Sequence, residues 1–137
     1  MQGWAVALLV ATAGGLGSLA RYGMGLAVAR CLPWLGAGLS GLGWATLLVN
    51  VSGCVAIGIA AVALPVLGSP SGWLRPVVLT GLLGGWTTFS ALGLETVQLG
   101  QSAGVGAATA WVGVQVLLGL AGVAFGLWLG ERMVGIK

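Results

Sequence analysis

A cluster of hydroxyls, Thr87, Thr88 and Ser90, follows directly on the glycine pair in the segment Gly84-Gly85-Trp86-Thr87-Thr88-Phe89-Ser90. Each glycine weakens a helix interior by about 1 kcal/mol, and two adjacent β-branched residues add to the effect. A helix broken there frees carbonyls and amides, which persist inside a bilayer only where they line a cavity or hold an ion. A close crossing of two helices accounts for the glycines but leaves the hydroxyls without a role. Asn50 is a second chemical feature. It stands one helical turn after Thr46, on the face that also carries Gly53. Its amide offers two donors and an acceptor, which in an apolar setting either glue helices together or serve a polar path. Two charges complete the set. Arg21 lies 17 residues after Trp4, about 25 Å along a helix. A charge inside an apolar segment marks a functional position by default, with snorkelling to the interface as the plainer role. Glu95 shares a face with Thr88 and Leu92.

The elements that must position these residues follow from composition. Of 137 residues, 58% are apolar, five are basic, two are acidic and none is histidine. Mean hydropathy is +1.10. A soluble domain carries about 25% charged residues, so this chain cannot cover a water-facing surface. Disordered chains are polar and charged, which excludes that class too. The basic residues are scattered, with no patch to neutralise phosphates, which excludes a nucleic-acid partner. Without histidine there is no His-based catalytic triad, and Cys31 with Cys54 makes no zinc site. Cys54 reads as a small buried hydrophobe.

An integral membrane protein remains, all-α and multi-pass. Four apolar stretches cover residues 4–29, 42–67, 74–99 and 105–129 of a single membrane domain, 1–137, each long enough to span. Arg30-Cys31 with Pro33, the run Gly68-Ser69-Pro70-Ser71-Gly72, and Gly100-Gln101-Ser102 separate them. Trp4, Trp34, Trp44, Trp73 and Trp128 fall near span ends, where indoles prefer to sit. Trp86 and Trp111 do not. Gly122, Gly126 and Gly130 line one helix face with a groove for a neighbouring backbone. The run Gly15-Leu16-Gly17-Ser18-Leu19-Ala20 matches a dinucleotide fingerprint but lacks the acidic residue some twenty positions on that holds the ribose. No basic residue precedes Ala11-Thr12-Ala13, as a signal peptide requires. With the N-terminus inside, Arg75, Arg132 and Lys137 are cytoplasmic and Arg30 is external, a modest positive-inside bias. The first and third spans run in the same direction. Arg21 and Glu95 therefore reach the same side at similar depth and are expected to approach each other in a vestibule.

Gly14-Gly15-Leu16-Gly17-Ser18-Leu19-Ala20-Arg21-Tyr22, Thr46-Leu47-Leu48-Val49-Asn50, and Gly84 to Ser90 with Glu95 together resemble the Fluc (CrcB) fluoride channels. The resemblance covers roughly the first 95 residues; the fourth span is similar only in being apolar and glycine-rich. It implies a four-helix subunit with a broken third helix, paired as an antiparallel dimer in the bacterial cell membrane, that lets fluoride leave the cell passively. The second subunit is either a copy of the chain or a paralogue. The resemblance also implies a structural Na+ at the dimer centre, held by the backbone carbonyls of Gly84 and Thr87. It places Thr46, Asn50, Thr88, Phe89 and Ser90 on the fluoride pathway. A second pathway phenylalanine of the family is Leu92 here, neighbouring hydroxyls are Ala91 and Gly93, and Trp86 replaces a smaller residue. The polar lane of the fourth helix is reduced to Gln115 and Thr109. Three rival readings are weaker. A small proton-coupled multidrug exporter needs a carboxylate in the first helix, where this chain has Arg21. A purely structural subunit leaves Asn50 and the broken helix without purpose. An enzyme lacks a nucleophile and base pair.

Overall fold

The computed structural model describes residues 2–31, 33, 43–68 and 72–135. Trp34, Leu42, Lys137 and residues 69–71 of the second connection lie outside them. The described residues contain no strand. Helix α1 is Gly3–Cys31, α2 is Trp44–Leu67 and α4 is Val105–Val134. The third span is composite. It winds as a π-helix over Pro76–Leu83 and continues for one α-helical turn over Gly84–Trp86. It opens at Thr87 and Thr88 and resumes as α3, Phe89–Ala103. Four segments, Gly3–Cys31, Trp44–Leu67, Pro76–Ala103 and Val105–Val134, are long and apolar enough to cross a bilayer. Cys31 and Cys54 are both free thiols.

The packing is set by small residues. A Cβ placed on Gly126 would overlap the Val55 carbonyl, and one on Gly58 would sit 2.5 Å from the Val123 carbonyl. The α2 and α4 backbones therefore touch across Gly58, Gly122, Gly126 and Gly130, the close approach that such stripes permit. Helix α1 approaches the third span in the same way, Gly17 lying against Leu82 and Trp86 and Gly85 against Gly14. The dinucleotide-like run is thus a crossing point inside an unbroken helix. Leu47, Leu92, Leu99 and Trp111 form the buried cluster at one end, joined by Trp44, Val51 and Ala107. Trp44 meets Trp111 edge-on, with ring centroids 5.3 Å apart.

The outer surface is apolar. Leu16, Leu19, Leu117 and Leu120 are all exposed, and Gly17 is the one buried residue of α1. A continuous apolar exterior of this kind fits lipid as the surrounding solvent. At the far end of α4, Phe125 stacks on Trp128 and the Arg132 guanidinium lies 5.6 Å above that indole. The helix runs on to Val134, so Trp128 sits about a turn and a half inside its end.

Candidate functional site

The helix break is defined by backbone angles. Thr87 (φ −83°, ψ 159°) and Thr88 (φ −152°, ψ 119°) are both extended, a conformation that suits β-branched residues. The first half of the span ends with the Thr87 amide donating to the Leu83 carbonyl at 3.0 Å, and the Thr87 hydroxyl donates to the same oxygen at 3.0 Å. The second half starts with Thr88 as its N-cap, its hydroxyl accepting from the Ala91 amide at 3.2 Å. A threonine there satisfies one of the otherwise unpaired first-turn donors.

Asn50 bridges the gap. Its Oδ1 accepts from the Thr88 amide at 2.8 Å, and its Nδ2 donates to the Thr88 carbonyl at 3.1 Å. One side-chain amide thus replaces the helical bond that the Thr88 amide has lost and adds a second bond at its carbonyl. The replacement has a consequence for the preceding turn. In a continuous helix the Thr88 amide would donate to the Gly84 carbonyl. Because it donates to Asn50 instead, the Gly84 carbonyl is released. Gly84 and Thr87 line the same open groove of about 390 Å³ with Asn50, Gly53, Thr88 and Phe89, while Gly85 and Trp86 do not border it.

The remaining polar residues gather on either side of Thr88. The Ser90 hydroxyl is 3.2 Å from that of Thr88, and Phe89 is 85% exposed at the groove edge. A second cavity of about 200 Å³ is lined by Arg21, Gly25, Thr46, Thr88 and Ala91, among others. Thr88, itself buried, borders both spaces. Thr46 donates to Glu95 Oε1 at 2.6 Å. Glu95 Oε2 has no hydrogen-bond partner among the described residues, and its carboxylate lies against the bare Cα of Gly43. Arg21 thus shares a cavity with Thr46, while Thr46 is the described partner of the Glu95 carboxylate.

Gln115 is the residue that the site gains on α4. It is 5% exposed, its Oε1 receives the Asn50 amide at 3.5 Å and its Nε2 has no partner among the described residues. Thr109 faces outward. Leu92 turns into the subunit core with Leu47 and Trp111, away from the groove that Phe89 borders.

Residues 8–127 match the family described as CrcB-like protein, Camphor Resistance (CrcB). The chain belongs to the CrcB family. Among curated CrcB relatives, the fluoride-specific ion channel FluC of Paracoccus denitrificans (strain Pd 1222) is 42% identical over 126 residues, 92% of this chain and 94% of its own. That of a Thermus thermophilus strain is 43% identical over 128 residues, covering 93% and 97%. That of Hyphomonas neptunium is 40% identical over 128 residues, covering 92% and 95%. For a CrcB protein of this kind, the bridged break at Thr87 and Thr88 lies inside the matched region, as do Arg21, Asn50, Glu95 and Gln115.

Proposed function

We infer that this protein is a fluoride-selective channel of the cell membrane, passing fluoride passively and so limiting its toxicity. The observation that carries this reading is the break in the third span, held open by Asn50 and flanked by two cavities that share Thr88, in a chain whose relatives bear the name of fluoride channels.

Fluoride is a small, strongly hydrated anion, so a path across the membrane must replace its water with donors. The Thr88 and Ser90 hydroxyls can each turn a proton toward it. The unpartnered Nε2 of Gln115 supplies an N–H in the same neighbourhood. Phe89 lines the groove, and the positively polarised edge of its ring can meet an anion there. Arg21, beside Thr46 and Thr88, gives the path a positive mouth that draws anions in. Asn50 acts differently. Its donors go to the Thr88 carbonyl and Gln115, so it holds the donor array in place rather than offering a free N–H. Glu95 withdraws the Thr46 hydroxyl toward itself.

The exposed side of the groove supports a second subunit. Phe89 and Ile57 leave an apolar edge around the released Gly84 carbonyl. A second subunit in the opposite orientation, a copy of this chain or a paralogue, covers this face. The carbonyls of Gly84 and Thr87 then meet their symmetry mates, a set of hard oxygens that suits Na+. The Gly84 and Thr87 carbonyls would hold such an ion, which would supply a fixed positive charge without any acidic side chain. Exchanging Na+ for N-methylglucamine during purification is expected to lower fluoride efflux by at least about tenfold, a loss of binding stabilisation read through linkage. Thr87→Ala is expected to keep that sodium dependence, because the ligand is the backbone carbonyl. Loss of the dependence in Thr87→Ala, measured by efflux against Na+ concentration, would show a side-chain ligand instead.

A further inference from the structure

Trp86 is misplaced for an interfacial indole, since it sits in the middle of its span, where an N–H must find a partner inside the protein. It finds one across the bundle. Trp86 Nε1 donates to Ser52 Oγ at 2.9 Å. Ser52 is ready to accept, because its single hydroxyl proton is already given to the Val49 carbonyl at 3.2 Å. Val49 is the most deeply buried large side chain among the described residues, at 1% exposure. The relay therefore ends on a rigid part of α2. The indole also lies against Gly53, where an added Cβ would come within 3.2 Å of Trp86 Cδ1 and would overlap the Thr87 methyl. The Trp86 backbone amide is held from the other side by Gly17, whose added Cβ would be 2.9 Å from it.

We propose that Trp86 and Ser52 form a latch which, with Asn50, clamps the Thr87 peptide from both sides and so aims its carbonyl at the proposed sodium site. Ser52 and Asn50 are two residues apart on α2. One holds the residue before Thr87 through its side chain, the other holds the residue after it through its backbone. Gly53, next to Ser52, leaves room for the Thr87 methyl. Trp86 and Ser52 are positioning residues, since neither borders the groove that Thr87 lines. They border a separate apolar cavity of about 350 Å³ with Gly17, Ala20 and Leu82, on the side of the break facing α1. The functional part of this assignment rests on the reading of Thr87 as an ion ligand.

Hydrogen–deuterium exchange on the full-length protein in detergent micelles tests the latch without depending on ion flux. Trp86→Phe and Ser52→Ala are each expected to raise exchange at the Thr87 and Thr88 amides by about fivefold to tenfold, the effect of one lost hydrogen bond. The double variant is expected to go no further than either single one, and Ser52→Thr, which keeps the hydroxyl, to retain wild-type exchange. Exchange in α4 should not change. Ser52→Ala removes one oxygen from an outward-facing position, so folding is preserved even where Trp86→Phe repacks. Unchanged exchange in Ser52→Ala, or additive effects in the double variant, would overturn the latch. The sodium reading fails separately: wild-type efflux indifferent to Na+ would remove it while the exchange result still decides whether Trp86 and Ser52 clamp the break.

Discussion

Asn50→Ala is expected to reduce fluoride efflux by at least about tenfold while leaving a folded, helical protein. The substitution strips partners from both the amide and the carbonyl of Thr88. A buried polar group left unpaired costs roughly 1–3 kcal/mol, and in the bilayer no water replaces the lost partner. The break then relieves the loss by moving. Either Thr88 re-forms a helical bond to the Gly84 carbonyl, or the two half-spans shift relative to α2. Both outcomes disturb the hydroxyl pair of Thr88 and Ser90 and the freed oxygens of Gly84 and Thr87. Folding survives because the α2–α4 seam is built on glycines at other positions. Efflux from liposomes and circular dichroism on the same preparation separate the two effects. Asn50→Asp provides a sharper comparison. It keeps the acceptor for the Thr88 amide but loses the donor to the Thr88 carbonyl and sets a negative charge beside an anion path. Its efflux should be no better than that of Asn50→Ala.

Gly126→Leu carries the largest expected effect on stability. Even a single Cβ at this position overlaps the Val55 carbonyl, and the Gly58 Cα is 3.1 Å away. The obstructing atoms are backbone, so no side chain can rotate aside. The α2 and α4 axes must separate along much of their length, with a loss of roughly 3 kcal/mol or more. Thermal unfolding in detergent, followed by tryptophan fluorescence, should show a strong drop in midpoint or a failure to purify as a single species. Gly113→Ala on the same helix meets nothing within 4 Å and should be neutral. A tolerant Gly126→Leu would mean that the seam is not the stabilising contact of the subunit.

Which of these features the sequence could reveal follows from how local their causes are. Hydropathy identifies the four spans because the bilayer sets their length. The ends differ where local cues are weak: α4 continues through Gly130 to Val134, since a glycine within an apolar helix does not stop it. Gly84, Gly85, Thr87 and Thr88 announce a break through propensity alone. The π-helical winding of Pro76–Leu83 has no such signature, because its Val, Leu and Gly residues serve an α-helix as well. Asn50 is conspicuous as an amide in an apolar span, yet its choice of the Thr88 backbone depends on how α2 lies against the break. Ser52 is less visible still, as one hydroxyl among many small residues. A tryptophan at mid-span is the available clue, since its N–H must be satisfied somewhere. Equal depth along parallel spans predicts an approach of Glu95 to Arg21. Depth fixes the level of a side chain but not its rotation about the helix, and Thr46 is the partner that rotation brings to Glu95. Leu92 illustrates the same limit, since only the packing against Leu47 and Trp111 turns it inward.

The most direct test is anion release from liposomes containing the purified protein, with electrodes selective for fluoride and for chloride. Rapid fluoride release in Na+ buffer, with chloride retained and with release abolished in Asn50→Ala, is the predicted result. Fluoride retained by vesicles that hold the folded protein, or chloride released as readily as fluoride, would contradict a fluoride-selective path through the bridged break at Thr87 and Thr88.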